Sequence, residues 1–560
     1  MLFVLIVLPL LGPRSVQAQT PTWTWVINPP VRNGTVFNTV MTSDAVGNVY
    51  VAGSFTGSFT LGFYTLTAAT AATSEVFVAK LNANGTTVWA AQGSGATSNK
   101  RCTALAVTPV GEVVITGFFA APSAVFGSRV VTSRGLTDTF VAKLSAAGAW
   151  YWVVAGGGAG VDKGNAVALS ATGDVYVAGD FESPTATFGA TVLTNGSTGG
   201  AANGFVAKLS AVGAWIWARS GTVSNGANLR THALTTDGVG NVYAGGAFSG
   251  AVAFGPITLP PAPAPATRSF VARLTSAGVW QRATSSGGPG TSGVRVLKTD
   301  AAANVYAAGH FGGPVGAATT FGSTSLVTTG GVFDAFVARL DPTGLWQWAT
   351  PAGGASDDYG TGLVVSSGGD VLVKGTFQSS TATFGGFTLT NSHGAMAGAD
   401  TFVAQLTPTG TWNRAFGFAG ATTNDGGLGV TPSGLITVTG SFTGPSVRLG
   451  PAVLTNVGTD SIGVYFAQLD PGPLAVEAAR ADARPALAAW PNPATDALHL
   501  ALPTAAPLTA ATVYDLRGAR MASVTFDGRQ TLDVTRLAAG LYSVLVVAGA
   551  TQWRVRFVKQ

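Results

Sequence analysis

The chain has 560 residues, of which 46% are hydrophobic and only 10% are charged, a balance that excludes a disordered protein. The formal net charge of +5 comes from scattered Lys and Arg without a run of five or more, which excludes the usual basic surface of a nucleic-acid-binding protein. The single cysteine, Cys102, excludes an intrachain disulfide, and the length exceeds one ordinary core, so it favours internal repeats.

Residues 1–18 predict a secretory signal peptide. The apolar run Leu2–Leu11 is followed by Val16-Gln17-Ala18, a small-residue exit that favours cleavage after Ala18. The run is too short to span a membrane as a mature helix, and no other stretch is typical of a transmembrane helix. We therefore expect an exported chain that begins at residue 19.

Three short motifs recur together seven times, at intervals of about 65 residues. The pentapeptide FVAKL at 77–81 returns with small changes at 140–144, 205–209, 270–274, 336–340, 402–406 and 465–469. The stretch VYVAGSF at 49–55 returns at 113–119, 175–181, 242–248, 305–311, 371–377 and 436–442. A Leu-Gly or Phe-Gly pair follows that stretch in every copy. The chain is therefore predicted to repeat one structural unit seven times.

Each unit predicts a four-stranded antiparallel meander with an extra hairpin between strands two and three. The strands are short and rich in Val, Ala and aromatic residues, and Gly stands at the turns. Seven such units favour an all-β fold, a seven-bladed β-propeller over residues 19–470. In the third strand, the alternating Phe, Ala and Leu would face one neighbouring blade and Val the other.

The N-terminal strand is predicted to close the ring. Six pentapeptides are followed by a tryptophan strand, whereas the seventh runs into Asp470-Pro471-Gly472. Residues 22–26, TWTWV, have the missing pattern and would complete the seventh blade, which removes an open sheet edge. The repeats also resemble the bacterial seven-bladed β-propeller repeat family, in which D-x-F-V-x-K-L, G-x-x-x-W and G-N-V-Y-V-x-G stretches recur. This resemblance covers about residues 22–470 and implies the fold and an extracellular setting, but no single activity.

The last part of the chain carries none of the repeat motifs. An Ala/Pro-rich linker at 471–488 precedes a predicted small β-sandwich at 489–560. Ordered motifs in this segment resemble the type A C-terminal sorting domain of the type IX secretion system of Bacteroidota, and they contain Pro491, Asn492, Pro493, Asp515, Gly518, Gly540, Tyr542 and Lys559. The resemblance implies that the secretion machinery is a partner. It also implies that the chain passes through the periplasm and ends secreted or on the outer cell surface.

The histidines do not predict a metal or catalytic site. None of the four, His232, His310, His393 and His499, stands in a metal-ligand spacing, so we expect no metal and no cofactor. His310 occupies the variable position between the Gly and Phe of the second motif, where it is interpreted as a tolerated substitution. A nucleophile elbow and a calcium-binding loop motif are also missing from the sequence.

The carboxylates fall into a repeating and a non-repeating class. Glu75, Asp138, Asp334 and Asp400 precede the pentapeptide by two residues and recur with it, so they are interpreted as turn or strand-start groups. Four acids break the repeat in the loops that join a tryptophan strand to the next first strand, namely Asp162, Asp357, Asp358 and Asp425. Because these loops share a face with the insert hairpins, the four acids are the candidate binding residues.

Three functions remain open from the sequence. We expect a non-catalytic binding module for polysaccharide or protein, and the alternatives are a structural cell-envelope protein and an extracellular polysaccharide hydrolase or lyase. An enzyme should break the repeat with acids or histidines in neighbouring blades on one face, as paired acids do in glycosidases. In the sequence the breaks are scattered over blades three, six and seven, so we expect that the protein is not an enzyme.

Overall fold

The computed structural model describes residues 21–70, 73–94, 99–197, 200–224, 226–262, 265–314, 316–328, 330, 332–366, 368–392, 398–421, 427–442, 445–456, 462–472, 488–490, 492–501, 510–514, 520–524, 531–548 and 551–560. Every regular element in these residues is a β-strand, which confirms the predicted all-β class. No described helix is long and apolar enough to cross a membrane. The chain divides into two compact units, Met1–Gly472 and Pro473–Gln560.

The first unit opens with β1 (Thr22–Ile27) and continues through seven repeats. The first repeat contains β2 (Val31–Arg32), β3 (Val36–Ser43), β4 (Val49–Phe55), β5 (Ser58–Leu61), β6 (Tyr64–Thr67), β7 (Glu75–Leu81) and β8 (Thr87–Ser94). The second contains β9 (Lys100–Val107), β10 (Val113–Ala120), β11 (Ser123–Phe126), β12 (Arg129–Thr132), β13 (Thr137–Leu144) and β14 (Trp150–Gly158). The third contains β15 (Asp162–Leu169), β16 (Val175–Phe181), β17 (Thr185–Phe188), β18 (Thr191–Thr194), β19 (Asn203–Leu209), β20 (Trp215–Ser220) and β21 (Thr222–Val223).

The remaining repeats follow the same order. The fourth contains β22 (Asn228–Thr236), β23 (Val242–Phe254), β24 (Ile257–Ala262), β25 (Arg268–Leu274) and β26 (Trp280–Ser285). The fifth contains β27 (Thr291–Thr299), β28 (Val305–Gly312), β29 (Thr319–Phe321), β30 (Thr324–Leu326), β31 (Phe333–Leu340) and β32 (Trp346–Gly354). The sixth contains β33 (Asp358–Val365), β34 (Val371–Phe377), β35 (Thr381–Phe384), β36 (Phe387–Thr390), β37 (Ala399–Leu406) and β38 (Trp412–Ala421). The seventh contains β39 (Leu428–Val430), β40 (Ile436–Phe442), β41 (Ser446–Leu449), β42 (Ala452–Thr455) and β43 (Gly463–Asp470).

Each repeat builds one small antiparallel sheet, in which four main strands pair in chain order, as in β9-β10-β13-β14. The strand pair between the second and third main strands forms a separate hairpin. In repeats two, three and six this insert hairpin pairs with the fourth strand of the preceding sheet. The first strands of successive sheets contact one another, and β3 of the first sheet contacts β39 of the seventh. The first strands therefore form the inner layer of this unit.

The N-terminal strand β1 lies in the sheet of the seventh repeat. It pairs antiparallel with β43, and the sheet order is β1-β43-β40-β39. Trp23 contacts Phe418 of the sixth repeat edge-to-face, with ring centroids 5.2 Å apart. On the other side, Trp25 packs against the core of the first repeat, and its Nε1 donates to the carbonyl of Ala83 at 3.1 Å. The strand therefore takes the place of the fourth strand that the seventh repeat lacks.

The pentapeptide strand divides its side chains between two cores. In β7, Phe77, Ala79 and Leu81 pack in a cluster that includes Val464 and Phe466 of the seventh repeat. Val76 and Val78 pack in a different cluster with residues of the second repeat. This confirms the predicted alternation, because successive side chains of a strand point to opposite faces.

The second unit contains two sheets. Its strands are β44 (Ala488–Trp490), β45 (Ala497–Ala501), β46 (Ala510–Tyr514), β47 (Arg520–Val524), β48 (Thr531–Asp533), β49 (Gly540–Ala548) and β50 (Thr551–Lys559). The sheet orders are β44-β45-β48 and β47-β46-β49-β50. Leu498 and Leu532 of one sheet share a buried core with Val544 and Phe557 of the other.

Candidate functional site

A cavity of about 690 Å³ lies at the inner layer of the first unit and is lined by residues of the first strands. In six repeats the register between first and second strand shifts at one place, so that the first strand carries a β-bulge. The bulge residues are the pair Asn38 and Thr39, followed by Thr103, Asn165, His232, Arg295 and Thr361, and all of them line the cavity. A bulge re-aims one side chain without ending the strand, and here it presents one exchangeable residue per repeat.

The repeated glycine of the second motif explains the bulge. A Cβ atom added to Gly117 would lie 1.8 Å from the carbonyl oxygen of Arg101 on the adjacent strand. The equivalent distances at Gly179 and Gly375 are 1.9 and 2.0 Å. Any larger residue would push the two strands apart, so the bulge requires glycine opposite. Apart from Asn38, each bulge residue stands fourteen positions before this glycine, a signal that could have located it from the sequence.

One polar group in the cavity wall joins the third and fourth repeats. Asp180, which is 4% exposed, accepts a hydrogen bond from Asn165 Nδ2 at 2.9 Å and another from the backbone N–H of Thr231 at 2.7 Å. Burial raises the pKa of Asp180, and the neighbouring His232 opposes that rise. Burial also lowers the pKa of His232, and the Asp180 carboxylate opposes that fall.

A second group joins the fifth and sixth repeats. Arg295 Nε donates to His310 Nδ1 at 3.4 Å, which leaves the imidazole proton on Nε2. The Arg295 guanidinium also stacks over the ring of Tyr359, 4.7 Å from its centroid. Burial, together with the charge of Arg295, lowers the pKa of His310 to about 3. The arrangement therefore combines a fixed cation, a phenol and an uncharged imidazole.

Further cations stand at the strand position two residues before the bulge. Arg101 lies 4.8 Å from the ring centroid of Phe37, and Lys163 lies 5.5 Å from that of Phe118. Arg230 approaches Asp180 at 3.9 Å and Glu182 at 3.7 Å. These side chains extend the positive charge along neighbouring first strands.

Sequence reasoning missed His232 and Arg295, and it treated His310 as a tolerated substitution. The structure places all three in the cavity wall, on consecutive repeats. His393 lies outside the described residues, and His499 belongs to the second unit. In the described part of the chain, no three His, Cys, Asp or Glu side chains are grouped to hold a metal ion.

Two of the four acids predicted for a loop face lie elsewhere. Asp162 and Asp358 are not loop residues; they begin β15 and β33 and are 0% and 1% exposed. Asp162 Oδ2 accepts from the N–H of Gly158 at 2.6 Å and from the Ser183 hydroxyl at 2.7 Å. Asp358 Oδ2 does the same with Gly354 and Ser379. The prediction that Asp162 and Asp358 are exposed loop residues is therefore wrong. Each of these acids is the first residue of its strand, and the glycine loop before the strand covers it.

Of the other two predicted acids, Asp357 directly precedes Asp358 in the chain. Asp357 is half-buried and accepts from the backbone N–H of Phe333 at 3.1 Å and from the Tyr359 hydroxyl at 3.3 Å. Asp425 lies outside the described residues, as does Ala18 at the predicted cleavage site. A binding role for Asp357 and Asp425 stays a prediction.

Asp358 should make the stability depend on pH. Burial, together with the charge of Asp334, raises its pKa to about 7 from an ordinary 3.8. Between pH 4 and pH 7 the Asp358 carboxyl is therefore protonated in the folded protein but ionised in the unfolded chain. Its contribution to stability is complete below pH 4 and is lost as the pH rises through 7. We expect the free energy of unfolding to fall by about 2–3 kcal/mol between pH 5 and pH 7.

Denaturant unfolding of residues 19–560 at pH 5, 6 and 7 measures this slope. Asp358→Asn should reduce the slope markedly, whereas Asp370→Asn, a turn aspartate of the same repeat, should keep it. An unchanged slope in Asp358→Asn would contradict the assignment.

The sorting motifs converge on the last strand of the second unit. Asn492 Oδ1 accepts from the N–H of Val558 at 2.8 Å, and Gly540 pairs with Lys559 across β49 and β50. Tyr542 stacks on Phe557, with centroids 5.8 Å apart, and its hydroxyl donates to Ala538. Pro493 follows Asn492 in the described part, whereas Pro491, Asp515 and Gly518 lie outside the described residues.

The comparison with family models decides what this unit is. Residues 488–560 match the secretion system C-terminal sorting domain. The predicted sorting domain is thereby confirmed, and the protein is exported to the cell surface or secreted. The sorting domain implies an interaction with the type IX secretion machinery. No curated protein matches the sequence.

Solved structures with a similar arrangement are distant. A protein of unknown function from Dyadobacter fermentans DSM 18053 is 9% identical, covers 80% of this chain and 98% of its own, and has a TM-score of 0.35. An ulvan lyase bound to -[GlcA(1-4)Rha3S]- is 10% identical, covers 82% and 97%, and has a TM-score of 0.36. A puromycin hydrolase is 12% identical, covers 95% of this chain and 62% of its own, and has a TM-score of 0.38. At these values the similarities carry no functional argument.

Proposed function

We propose that residues 19–470 form a closed seven-bladed β-propeller that is exported by the sorting domain and binds a polysaccharide in its central cavity. The ring closure is supported by β1, which pairs with β43 and donates through Trp25 to the first repeat. It is also supported by the contact between the first strands of the first and seventh sheets. A ring of this kind leaves its insert hairpins and the cavity as the surfaces that differ between repeats.

The observation that carries the proposal is the convergence of non-repeating side chains on one cavity. Asn165 and Asp180, His232, then Arg295 and His310 come from three consecutive repeats, and Tyr359 from the next. A purely structural ring would have no reason to gather titratable groups there. A volume of about 690 Å³ suits a few sugar units, whereas a folded protein would not enter it.

His232→Leu should weaken this binding strongly. The substitution removes a bulge imidazole from the cavity wall and leaves the glycine opposite unchanged. We expect retention on a polysaccharide that the wild-type mature chain binds to weaken at least tenfold, about 1.4 kcal/mol. Affinity electrophoresis against neutral and acidic plant, algal and bacterial polysaccharides measures it.

His499→Leu is the matched control, because this exposed histidine belongs to the second unit. It should bind as the wild type does. Equal binding by His232→Leu, or a wild-type chain retained on none of the polymers, would contradict the proposed site.

A catalytic role is the second candidate function. It is favoured by His310, an imidazole kept uncharged beside the Arg295 cation and the Tyr359 phenol, which are the groups that acid–base cleavage of a polymer requires. These groups stand in neighbouring repeats, as expected of an enzyme and unlike the scattered acids. Release of new reducing or unsaturated ends from a bound polymer distinguishes cleavage from binding.

A further inference from the structure

Two cations of one strand reach the cavity without a carboxylate partner. Arg295 and Lys298 both lie on β27 and line the cavity. Neither forms a salt bridge with a described residue. Arg295 is held by His310 and Tyr359, and Lys298 is exposed to the interior of the cavity. Desolvation by the surrounding wall lowers the pKa of Lys298.

The cavity wall offers these cations no internal counter-charge. None of the described residues that line the cavity is Asp or Glu. The Asp180 carboxylate is not a lining group, and it already accepts hydrogen bonds from the lining residue Asn165 and from Thr231. Asp357 lies beyond the ring of Tyr359 and accepts the hydroxyl of that residue. An anion from outside is therefore the group that would neutralise the cavity.

The surroundings of the cavity lead an anion toward it. Arg101, Lys163 and Arg230 occupy equivalent places on the three first strands that precede β27. Of these three cations, Arg230 has two carboxylates nearby, Asp180 at 3.9 Å and Glu182 at 3.7 Å. Half-buried aromatic rings lie beside two of these cations: Phe37 beside Arg101, and Phe118 beside Lys163. A third half-buried ring, Phe333, lies beside His310. A group of cations raises the local concentration of a negatively charged polymer near the cavity. The apolar faces of the aromatic rings can pack against the uncharged surface of that polymer.

We infer that the ligand is an acidic polysaccharide and that one of its carboxylate or sulfate groups binds between Arg295 and Lys298. This inference rests on the proposed function and names the class of polymer. Guanidinium and ammonium groups both bind such anions, the guanidinium through paired donors and the ammonium as a point charge.

The test compares three polymers with the mature chain, residues 19–560. Polygalacturonate carries carboxylates, dextran sulfate carries sulfates, and dextran is the uncharged parent of the latter. The wild type should bind at least one of the acidic polymers and not dextran. Raising NaCl from about 50 to about 500 mM should weaken binding strongly, because salt screens exposed charges.

Lys298→Gln should weaken binding of the acidic polymer at least tenfold and reduce its dependence on salt, whereas Lys298→Arg should retain most of it. Arg129→Gln removes the same charge from an exposed position on the insert strand β12 and should bind as the wild type does. Together these variants separate the local role of Lys298 from the net charge of the chain.

Three outcomes would overturn the inference. If Lys298→Gln binds the acidic polymer as the wild type does, the anion is not held there. If dextran, or another neutral polymer, is bound as well as the acidic polymers, the ligand is not specifically anionic. If His232→Leu also abolishes that binding, the cavity still binds sugar and only the anionic class of the ligand is wrong. If no polymer is retained by the wild type, the proposed function fails as well.

Discussion

A chain that starts at residue 28 should have a free energy of unfolding about 5 kcal/mol or more below that of a chain that starts at residue 19. The truncation removes β1, whose Trp23 and Val26 pack in the core of the seventh repeat and whose Trp25 and Ile27 pack in the core of the first. It also leaves the edge of β43 without its partner, and an unpaired strand edge promotes aggregation. Thermal unfolding and the rate of proteolysis measure the loss.

A chain that starts at residue 22 retains the whole strand and serves as the control for shortening. It should unfold as the full mature chain does. A synthetic peptide of residues 19–30, added to the chain that starts at residue 28, should restore part of the stability because the pairing is intermolecular but otherwise unchanged. If the truncated chain unfolds at the wild-type midpoint, β1 does not close the ring.

Lys100→Met should destabilise the protein by about 3–5 kcal/mol. Lys100 Nζ lies 2.8 Å from Glu75 Oε2, and both side chains are fully buried. The methionine leaves the Glu75 carboxylate buried without its cation, although burial already raises the pKa of that carboxyl. Protonation of Glu75 would recover part of the cost, so the loss should be larger at pH 8 than at pH 5. Chemical denaturation at both pH values measures it.

The double variant Glu75→Leu/Lys100→Met is the informative comparison. Replacing both charges by apolar groups should recover most of the stability, since the desolvation of the ions is then avoided. Lys208→Met breaks the more exposed pair with Asp174, whose atoms are 2.9 Å apart, and should cost about 1 kcal/mol or less. Equal losses for Lys100→Met and Lys208→Met would show that burial does not decide the cost.

The strands of the first unit could be predicted because each motif recurs with one fixed pattern. The alternation of Phe77, Val78 and Ala79 determines which neighbour each side chain meets, and the structure bears this out. The pairing of β1 with β43 was also predictable, since the tryptophan pattern missing after Leu469 is present at Trp23 and Trp25. In both cases the information is local and repeated.

Strand periodicity alone does not locate the cavity residues, although their fixed distance from the repeated glycine could have done so. His232 and Arg295 stand inside apolar first strands, and only the bulge turns them toward the cavity. The bulge in turn depends on how close two strands approach at a glycine, which strand periodicity does not reveal. The prediction that Asp162 and Asp358 bind a ligand on a loop face was wrong for the opposite reason. These acids break the repeat in sequence, yet they accept hydrogen bonds from neighbouring backbone groups inside the fold.

Each bulge separates the side chain that lines the cavity from the contacts that keep the chain folded. Its backbone path is set by the glycine on the adjacent strand, so the bulge side chain is under little packing constraint of its own. The residues found there already include an amide, an imidazole, a guanidinium and hydroxyls on the same framework. Duplication of such a repeat supplies further copies of the same bulge position, and single point mutations can then change the lining of the cavity while the sheets stay as they are.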